Sequence, residues 1–530
     1  MDFTQLDQHL NTYLTATNLP GLSLAISDRD RTLHTFTYTS KRHPNPPITS
    51  HTLFEIGSIG KSFTSILFQQ LVDNEDYDLH KPVTEYLPWF KISSNFAPIT
   101  THHLLCHTAG IIRGTDFSGD TIGEVVALQD TQAASPPGTF YRYSNVGYKL
   151  LGAILAKVTG QTYPDLVRDR ILKPLGLTQT YPDITHDLRS QMAVGYIPLY
   201  DDRPTPLNEP IAPGVRYETA TADGCIVSNP TDLAQYMRLF MQGGQADVLS
   251  AAGYTRMTQP AFQVYEGYDY GYGLFIEQHD DGQFIGHSGG MAAGYVSQMM
   301  WHTETGYGFA VMVNAMGVRG GSELITWLKQ AIEIDDKRRD LPSLAPPADS
   351  FIVSGAEQYQ GIYRDGSTIL DMRASENRVF LNLNGQDHTL AMQAPDQFSS
   401  DHPDFNRSVF TFKRSEDDTI KSVTHGEHLY LTEGVTPSAT AYPAEWNAYR
   451  GHYRSHNPWL PAFRVLLRAG KLYFQIAGSY EEPLISLGDD VFRIGEDEQL
   501  PERLRFDLLI EGQTIRAHFN TAPYYRTFTP

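Results

Sequence analysis

The chain is written in two hydrophobic patterns, and the change from one to the other limits what it can fold into. Up to about residue 335, helix-like and strand-like runs alternate. Leu6, Leu10 and Leu14 recur every fourth residue and predict a short amphipathic first helix, which Pro20-Gly21 stops. Leu22–Ser27 and Leu33–Tyr38 predict strands, and Phe309–Val313 is a late apolar stretch. Ser58 to Asp73 predicts a helix with Phe63, Ile66, Leu67 and Leu71 on one face. Then comes the charge run Asp335-Asp336-Lys337-Arg338-Arg339-Asp340, followed by Pro342, Pro346 and Pro347, which predicts a linker over 336–350. Beyond it, short alternating runs bounded by turn residues take over: Arg378–Leu383, Val409–Phe412 and Lys471–Ile476. Tyr359-x-Gly361-x-Tyr363 returns ninety residues later as Tyr449-x-Gly451-x-Tyr453. The expected organisation is a mixed α/β domain over 1–335, then two small all-β barrels over 351–442 and 443–530.

Composition narrows the partners. With 530 residues, 41% hydrophobic and 19% charged, the chain is expected to pack into several globular domains. Its 61 acidic residues outweigh 41 Lys and Arg, for a net charge of −20. Such a surface repels phosphate backbones and anionic lipids, so neither nucleic acid nor membrane is an expected partner. Two cysteines, Cys106 and Cys225, make no disulfide framework. The N-terminus, Met-Asp-Phe-Thr-Gln-Leu-Asp, lacks the basic and apolar regions of a signal peptide, and a cytoplasmic location is expected.

Three short segments carry chemistry. The first is Ser58-Ile59-Gly60-Lys61. A serine hydroxyl needs a base to become a nucleophile, and a helix beginning at Ser58 puts Lys61 one turn on, on the same face. The helix N-terminus also favours negative charge at the serine. Alone, the pattern is better described as an N-capping serine with an exposed lysine. The second is Tyr143-Ser144-Asn145, after Pro136-Pro137-Gly138-Thr139. A tyrosine set against Ser58 can act as general base, and the Asn145 amide can hold the lysine and the substrate carbonyl. The alternative is a Ser-Asn turn before a helix from Gly147, with Tyr143 in the core. The third is His287-Ser288-Gly289-Gly290, beside a strand-like stretch Tyr295–Trp301. Glycines there let a substrate backbone approach, and the N–H of Gly290 can join that of Ser58 as an oxyanion hole. A glycine-rich hairpin turn is the other reading.

In this order, the three segments resemble the serine β-lactamase and penicillin-binding-protein superfamily, class C type. The resemblance runs over roughly residues 5–330. It includes Asp78-Leu79-His80-Lys81-Pro82-Val83 and Leu104-Leu105-Cys106-His107-Thr108-Ala109-Gly110. It implies an α/β (α+β) fold, an antiparallel sheet flanked by helices, with no metal or organic cofactor. It implies Ser58 as nucleophile, Lys61 as its activator and Tyr143 as base and leaving-group acid. Asn145 would orient substrate, and His287, Ser288 and Gly289 would line the substrate strand. His287 stands where many relatives carry lysine. Histidine is mostly neutral at pH 7, so amides or esters are expected to outperform β-lactams. With its two barrels the whole chain resembles three-domain D-aminopeptidases and lipocalin-tailed serine peptidases.

The expected function is therefore a serine hydrolase that forms an acyl-enzyme on amide or ester bonds of small peptides or amino-acid derivatives. An esterase or acyl transferase on the same site is one rival, and a β-lactam-binding sensor or scaffold is another. The partner is a small-molecule or peptide substrate, and homo-oligomerisation is left open. Other constellations compete. His103, Cys106 and His107 have metal-ligand spacing on a predicted helix. Asp73, Glu75, Asp76 and Asp78 form an acidic patch without calcium-loop spacing. Tyr265, Tyr268, Tyr270 and Tyr272 read as strand core or a substrate wall.

Overall fold

Leu6, Leu10 and Leu14 are all fully buried on α1 (Phe3–Ala16), whose N-terminus is capped by the Asp2 carboxylate on the Thr4 and Gln5 amides. The computed structural model describes residues 1–43, 46–75, 77–116, 121–204, 210–216, 218–333, 341–435, 441–478 and 480–527. The predicted linker's charge run, Asp335 to Asp340, and Asp76 of the acidic patch lie outside these residues. The chain divides into two units, the first made of residues 1–197, 211–347 and 498–501, the second of 198–210, 348–497 and 502–530.

The first unit is built on an eight-stranded antiparallel sheet. Its strands are β1 (Gly21–Ser27), β2 (Thr32–Thr39), β3 (Phe262–Tyr265), β4 (Tyr268–Tyr270), β5 (Phe275–His279), β6 (Gly282–Met291), β7 (Tyr295–His302) and β8 (Gly308–Val313). They lie in the order β2-β1-β8-β7-β6-β5-β4-β3. Its long helices after α1 are α2 (Gly60–Asp73), α3 (Asn145–Thr159), α4 (Pro230–Met241) and α5 (Gly321–Glu333). Strands β1 and β8 are buried at every position, because helices cover both faces. Leu22, Leu24, Phe309 and Val311 pack with α1 and with Trp327 and Leu328 of α5. The alternate residues of β1 turn to the other face, where Arg238 of α4 donates to the Ser27 hydroxyl, 3.2 Å. The expected antiparallel sheet flanked by helices is what the structure contains.

The second unit is all-β. A nine-stranded sheet runs from Gly361–Asp365 to His428–Leu431 in sequence, and an eight-stranded closed barrel runs from Gly451–Arg454 to Ala522–Arg526. The Tyr-x-Gly-x-Tyr repeat does the same job twice. Tyr363 donates its hydroxyl to the Tyr359 carbonyl (3.1 Å), and Tyr453 donates to the Tyr449 carbonyl (2.7 Å). In each copy a short 3₁₀ turn leads into the first strand, and both tyrosines sit in the core of their own module. Trp459 belongs to this unit, in a turn where its amide donates to the Asn457 side chain, 2.9 Å. Both cysteines are buried and unpaired. No helix among the described residues is long and apolar enough to cross a membrane.

Candidate active site

A two-residue strand, Phe54–Glu55, paired with Val227–Ser228, delivers the chain to the serine. Gly57–Ile59 then forms a 3₁₀ turn that runs directly into α2, so Ser58 stands just ahead of the helix that carries Lys61. Gly57 takes φ +53°, and a Cβ there would lie 2.7 Å from the Gly290 amide nitrogen. A Cβ on Gly289 would lie 1.9 Å from the Ile56 carbonyl oxygen, which also accepts from Ser297 Oγ at 2.8 Å. The sequence pattern at Gly289 predicts room for a substrate backbone. Its missing side chain makes room for the protein's own Ser58 turn, seated on β6 and β7. Gly290 is different: a Cβ there would meet nothing closer than Met316 Sδ at 4.0 Å.

Lys61 is fully buried and held by three acceptors. Its Nζ donates to Ser58 Oγ (3.0 Å), Asn145 Oδ1 (2.9 Å) and the Asp223 carbonyl (2.6 Å). The i+3 spacing thus meets in space, as the sequence suggests. The Tyr143 ring lies beside the ammonium, 4.8 Å from Nζ to the ring centroid. Its hydroxyl makes no hydrogen bond to Ser58 or Lys61. Ser144 caps α3 by accepting from the Gly147 amide at 3.0 Å, which puts Asn145 at the helix start rather than in a loop before Gly147.

Asn145 is itself held from behind. Its Nδ2 donates to Asp116 Oδ2 (2.9 Å), while Asp116 Oδ1 pairs with Lys149 Nζ (2.8 Å), and Glu124 stands 3.5 Å from the same ammonium. Burial alone would raise the Asp116 pKa, but Lys149, the Asn145 amide and Arg113 hold it below the usual carboxylate range. Burial likewise opposes the Lys149 charge, and Asp223, Asp116 and Glu124 override it. Sequence reasoning missed this group. The i+4 spacing of Asn145 and Lys149 on α3 was the one local signal for it. Toward Lys61, Asp223 takes part through its backbone carbonyl, for which no residue type is a signal, while its carboxylate charge acts on Lys149.

His287 lies buried on β6, its Nδ1 against the Ser288 carbonyl (2.5 Å) and its Nε2 against the Tyr270 hydroxyl (3.2 Å). Burial first, and the Lys61 charge second, push its pKa down to about 3. It is therefore neutral, with both nitrogens engaged by protein. Ser288 beside it is exposed. Of the predicted tyrosine set, Tyr270 is buried against His287, Tyr272 bonds His102 (2.7 Å) and Tyr265 is exposed.

The three residues with metal-ligand spacing, His103, Cys106 and His107, separate. The helix carrying His103 ends at Leu105, and His107 leaves it with φ +59°. His103 caps that helix through Thr100, whereas His107 accepts from the Ser144 amide (3.0 Å) and packs under the Tyr143 ring at 4.2 Å. Burial, then Lys61, His287 and Arg113, hold His107 well below its ordinary pKa. Glu55, three residues before Ser58, is buried, with Oε2 lacking a hydrogen-bond partner among the described residues. Burial raises its pKa to about 8 despite Arg216.

Residues 6–331 match the Beta-lactamase family, and the chain belongs to that family, within a serine hydrolase superfamily. Over 309 residues it is 28% identical to penicillin-binding protein 4 of Amycolatopsis lactamdurans, covering 54% of this chain and 79% of the relative. Over 256 residues it is 32% identical to the unguisins hydrolase ungD' of Aspergillus campestris, covering 45% of this chain and 47%, about half, of that hydrolase. Among solved structures, an octameric penicillin-binding protein homologue from Pyrococcus abyssi shares the fold with a TM-score of 0.56 at 22% identity, over 82% of this chain and 100% of that one.

Proposed function

We propose that the protein is a serine hydrolase that opens amide or ester bonds of small peptides or amino-acid derivatives through an acyl-enzyme on Ser58. The observation that carries this reading is the 3.0 Å contact between Lys61 Nζ and Ser58 Oγ, with the ammonium fixed by Asn145 and Asp223. Tyr143 takes the Ser58 proton, directly or through Lys61, as Oγ attacks the carbonyl carbon. The N–H groups of Ser58 and Gly290 stabilise the tetrahedral oxyanion. Tyr143 then protonates the departing amine or alcohol, and water releases the acid by the reverse sequence. Asn145 orients the substrate carbonyl, and Ser288 lines the strand beside it. A relative named as a hydrolase is in keeping with turnover rather than a binding-only role.

His287 favours amides and esters over β-lactams. A neutral imidazole with both nitrogens occupied offers no cation to a β-lactam carboxylate. The test is a panel of L- and D-amino-acid anilides, short esters and a chromogenic cephalosporin, with a serine-reactive phosphonate as label. Ser58→Ala should lose both turnover and labelling while staying folded. Persistent labelling of Ser58→Ala would overturn the nucleophile assignment. A kcat/KM for the cephalosporin above that of every amide and ester would overturn the substrate class.

A further inference from the structure

The second unit carries an open cavity of about 690 Å³ bordered by both of its β-modules. Arg407, Arg450, Arg464 and Arg526 line it, against Asp404 and Glu427. That balance is the reverse of the chain as a whole, whose net charge is −20. Glu427 is already committed to Arg450, whose Nε donates to it at 2.7 Å, and Asp404 is largely exposed.

Arg464 is the group left wanting. Its side chain is 18% exposed, and its Nη2 is enclosed with no hydrogen-bond partner among the described residues. The carboxylate facing it, Asp202, stands 3.8 Å away, beyond hydrogen-bond reach, and also bonds Arg203. His452 Nε2, also lining the cavity, is enclosed and without a partner among the described residues. Burial, then Arg407, Arg203 and Arg454, disfavour the Arg464 charge, with Asp202 opposing. A guanidinium does not give up its proton near neutral pH, so this crowding of like charge persists unless an anion offsets it.

We propose that this cavity binds a small multivalent oxyanion, a phosphate or polycarboxylate group, anchored on the Arg464 guanidinium. The planar fork of an arginine matches either group with paired N–H donors, and the volume lies in the usual range for small-molecule sites. The site is distinct from Ser58, which lies in the other unit.

Titration calorimetry on the full chain tests this with inorganic pyrophosphate in one arm and citrate in the other, at ionic strength matched with sodium chloride. Saturable binding of one anion per chain is expected, weakened at least tenfold by Arg464→Met and by Arg407→Ala. Circular dichroism checks the fold of each variant. Arg407, on the other β-module, keeps the test open where Arg464→Met does not fold. Preference for pyrophosphate assigns the phosphate class, and preference for citrate the carboxylate class. No saturable binding of either anion overturns the proposal, as does undiminished binding in the folded variants.

Discussion

Asp116 accepts a hydrogen bond from Nδ2 of Asn145 at 2.9 Å, and this settles which end of the asparagine amide faces Lys61. With its N–H₂ turned to a carboxylate, Asn145 presents Oδ1 to the ammonium at 2.9 Å. Asp116 can hold this role in a buried setting because Lys149 neutralises it. The pair therefore positions an amide that touches Lys61 without itself touching the serine.

Asp116→Asn removes the charge that fixes the amide. The expected result is a fall in kcat of about 10- to 100-fold with KM little changed. Lys149→Met leaves Asp116 buried without its cation and should lower stability by about 3–5 kcal/mol, whereas the double variant should recover part of that loss. Steady-state kinetics and urea melts on the three variants check both statements. Equal stabilities in all three would show that the pair is not a coupled unit.

Tyr143→Phe separates catalysis from folding. The ring packs on His107 and beside Lys61, and phenylalanine keeps those contacts. The hydroxyl bonds neither Ser58 nor Lys61, so unfolding free energy should move by no more than about 0.5 kcal/mol. Turnover should fall by about 10². A variant with full activity would remove Tyr143 from the proton path.

The two neighbouring glycines of β6 should answer differently to alanine. At Gly289 the new Cβ collides with the Ile56 carbonyl at 1.9 Å, so Gly289→Ala must displace the Ser58 turn or the strand. A loss of about 2 kcal/mol or more, with activity lost alongside, is expected. At Gly290 the nearest atom is 4.0 Å off, and Gly290→Ala should melt close to the parent temperature. Thermal unfolding and turnover of the pair distinguish the two positions.

Glu55 makes stability depend on pH. Its folded pKa, about 8, lies above the ordinary carboxyl value near 4.3. A raised folded value means the protonated form is favoured by folding. The contribution is full below about pH 4 and is lost as pH rises toward 8, by up to a few kcal/mol. Glu55→Gln should flatten this slope, and the difference in melting temperature between parent and variant should widen from pH 5 to pH 8. A parallel pair of curves would mean that Glu55 is not buried as described.

Whether a residue could be read from the sequence depended on how locally it acts. Ser58 and Lys61 were legible because the expected nucleophile and its activator are spaced one helical turn apart. Tyr143 and Asn145 were legible because they flank the serine that caps α3. The duplicated Tyr-x-Gly-x-Tyr announced its structural role because that role is local, a hydroxyl reaching back four residues. Asp116 is far in sequence from Asn145 and Lys149, and only the fold brings it to them. Gly289 shows a limit of local reading: a glycine marks close approach of something, and here the chain's own Ile56 carbonyl comes that close, a contact distant in sequence. The metal-like spacing of His103, Cys106 and His107 carries no shared geometry, because a helix of five residues, Thr101–Leu105, ends before it can align them.

The nine-stranded sheet of the second unit has its two outermost strands, Gln386–Thr389 and Ala391–Ala394, separated along the chain by Leu390 alone. The ring is thus clasped by a single buried residue, whose amide bonds the Val379 carbonyl at 2.8 Å, and not by a ladder between those strands. Parting such a clasp breaks few hydrogen bonds, while parting any two strands of the closed barrel breaks a continuous row. Amides around Leu390 should therefore exchange with solvent through small local openings, and the barrel's inner strands only when that whole module comes apart.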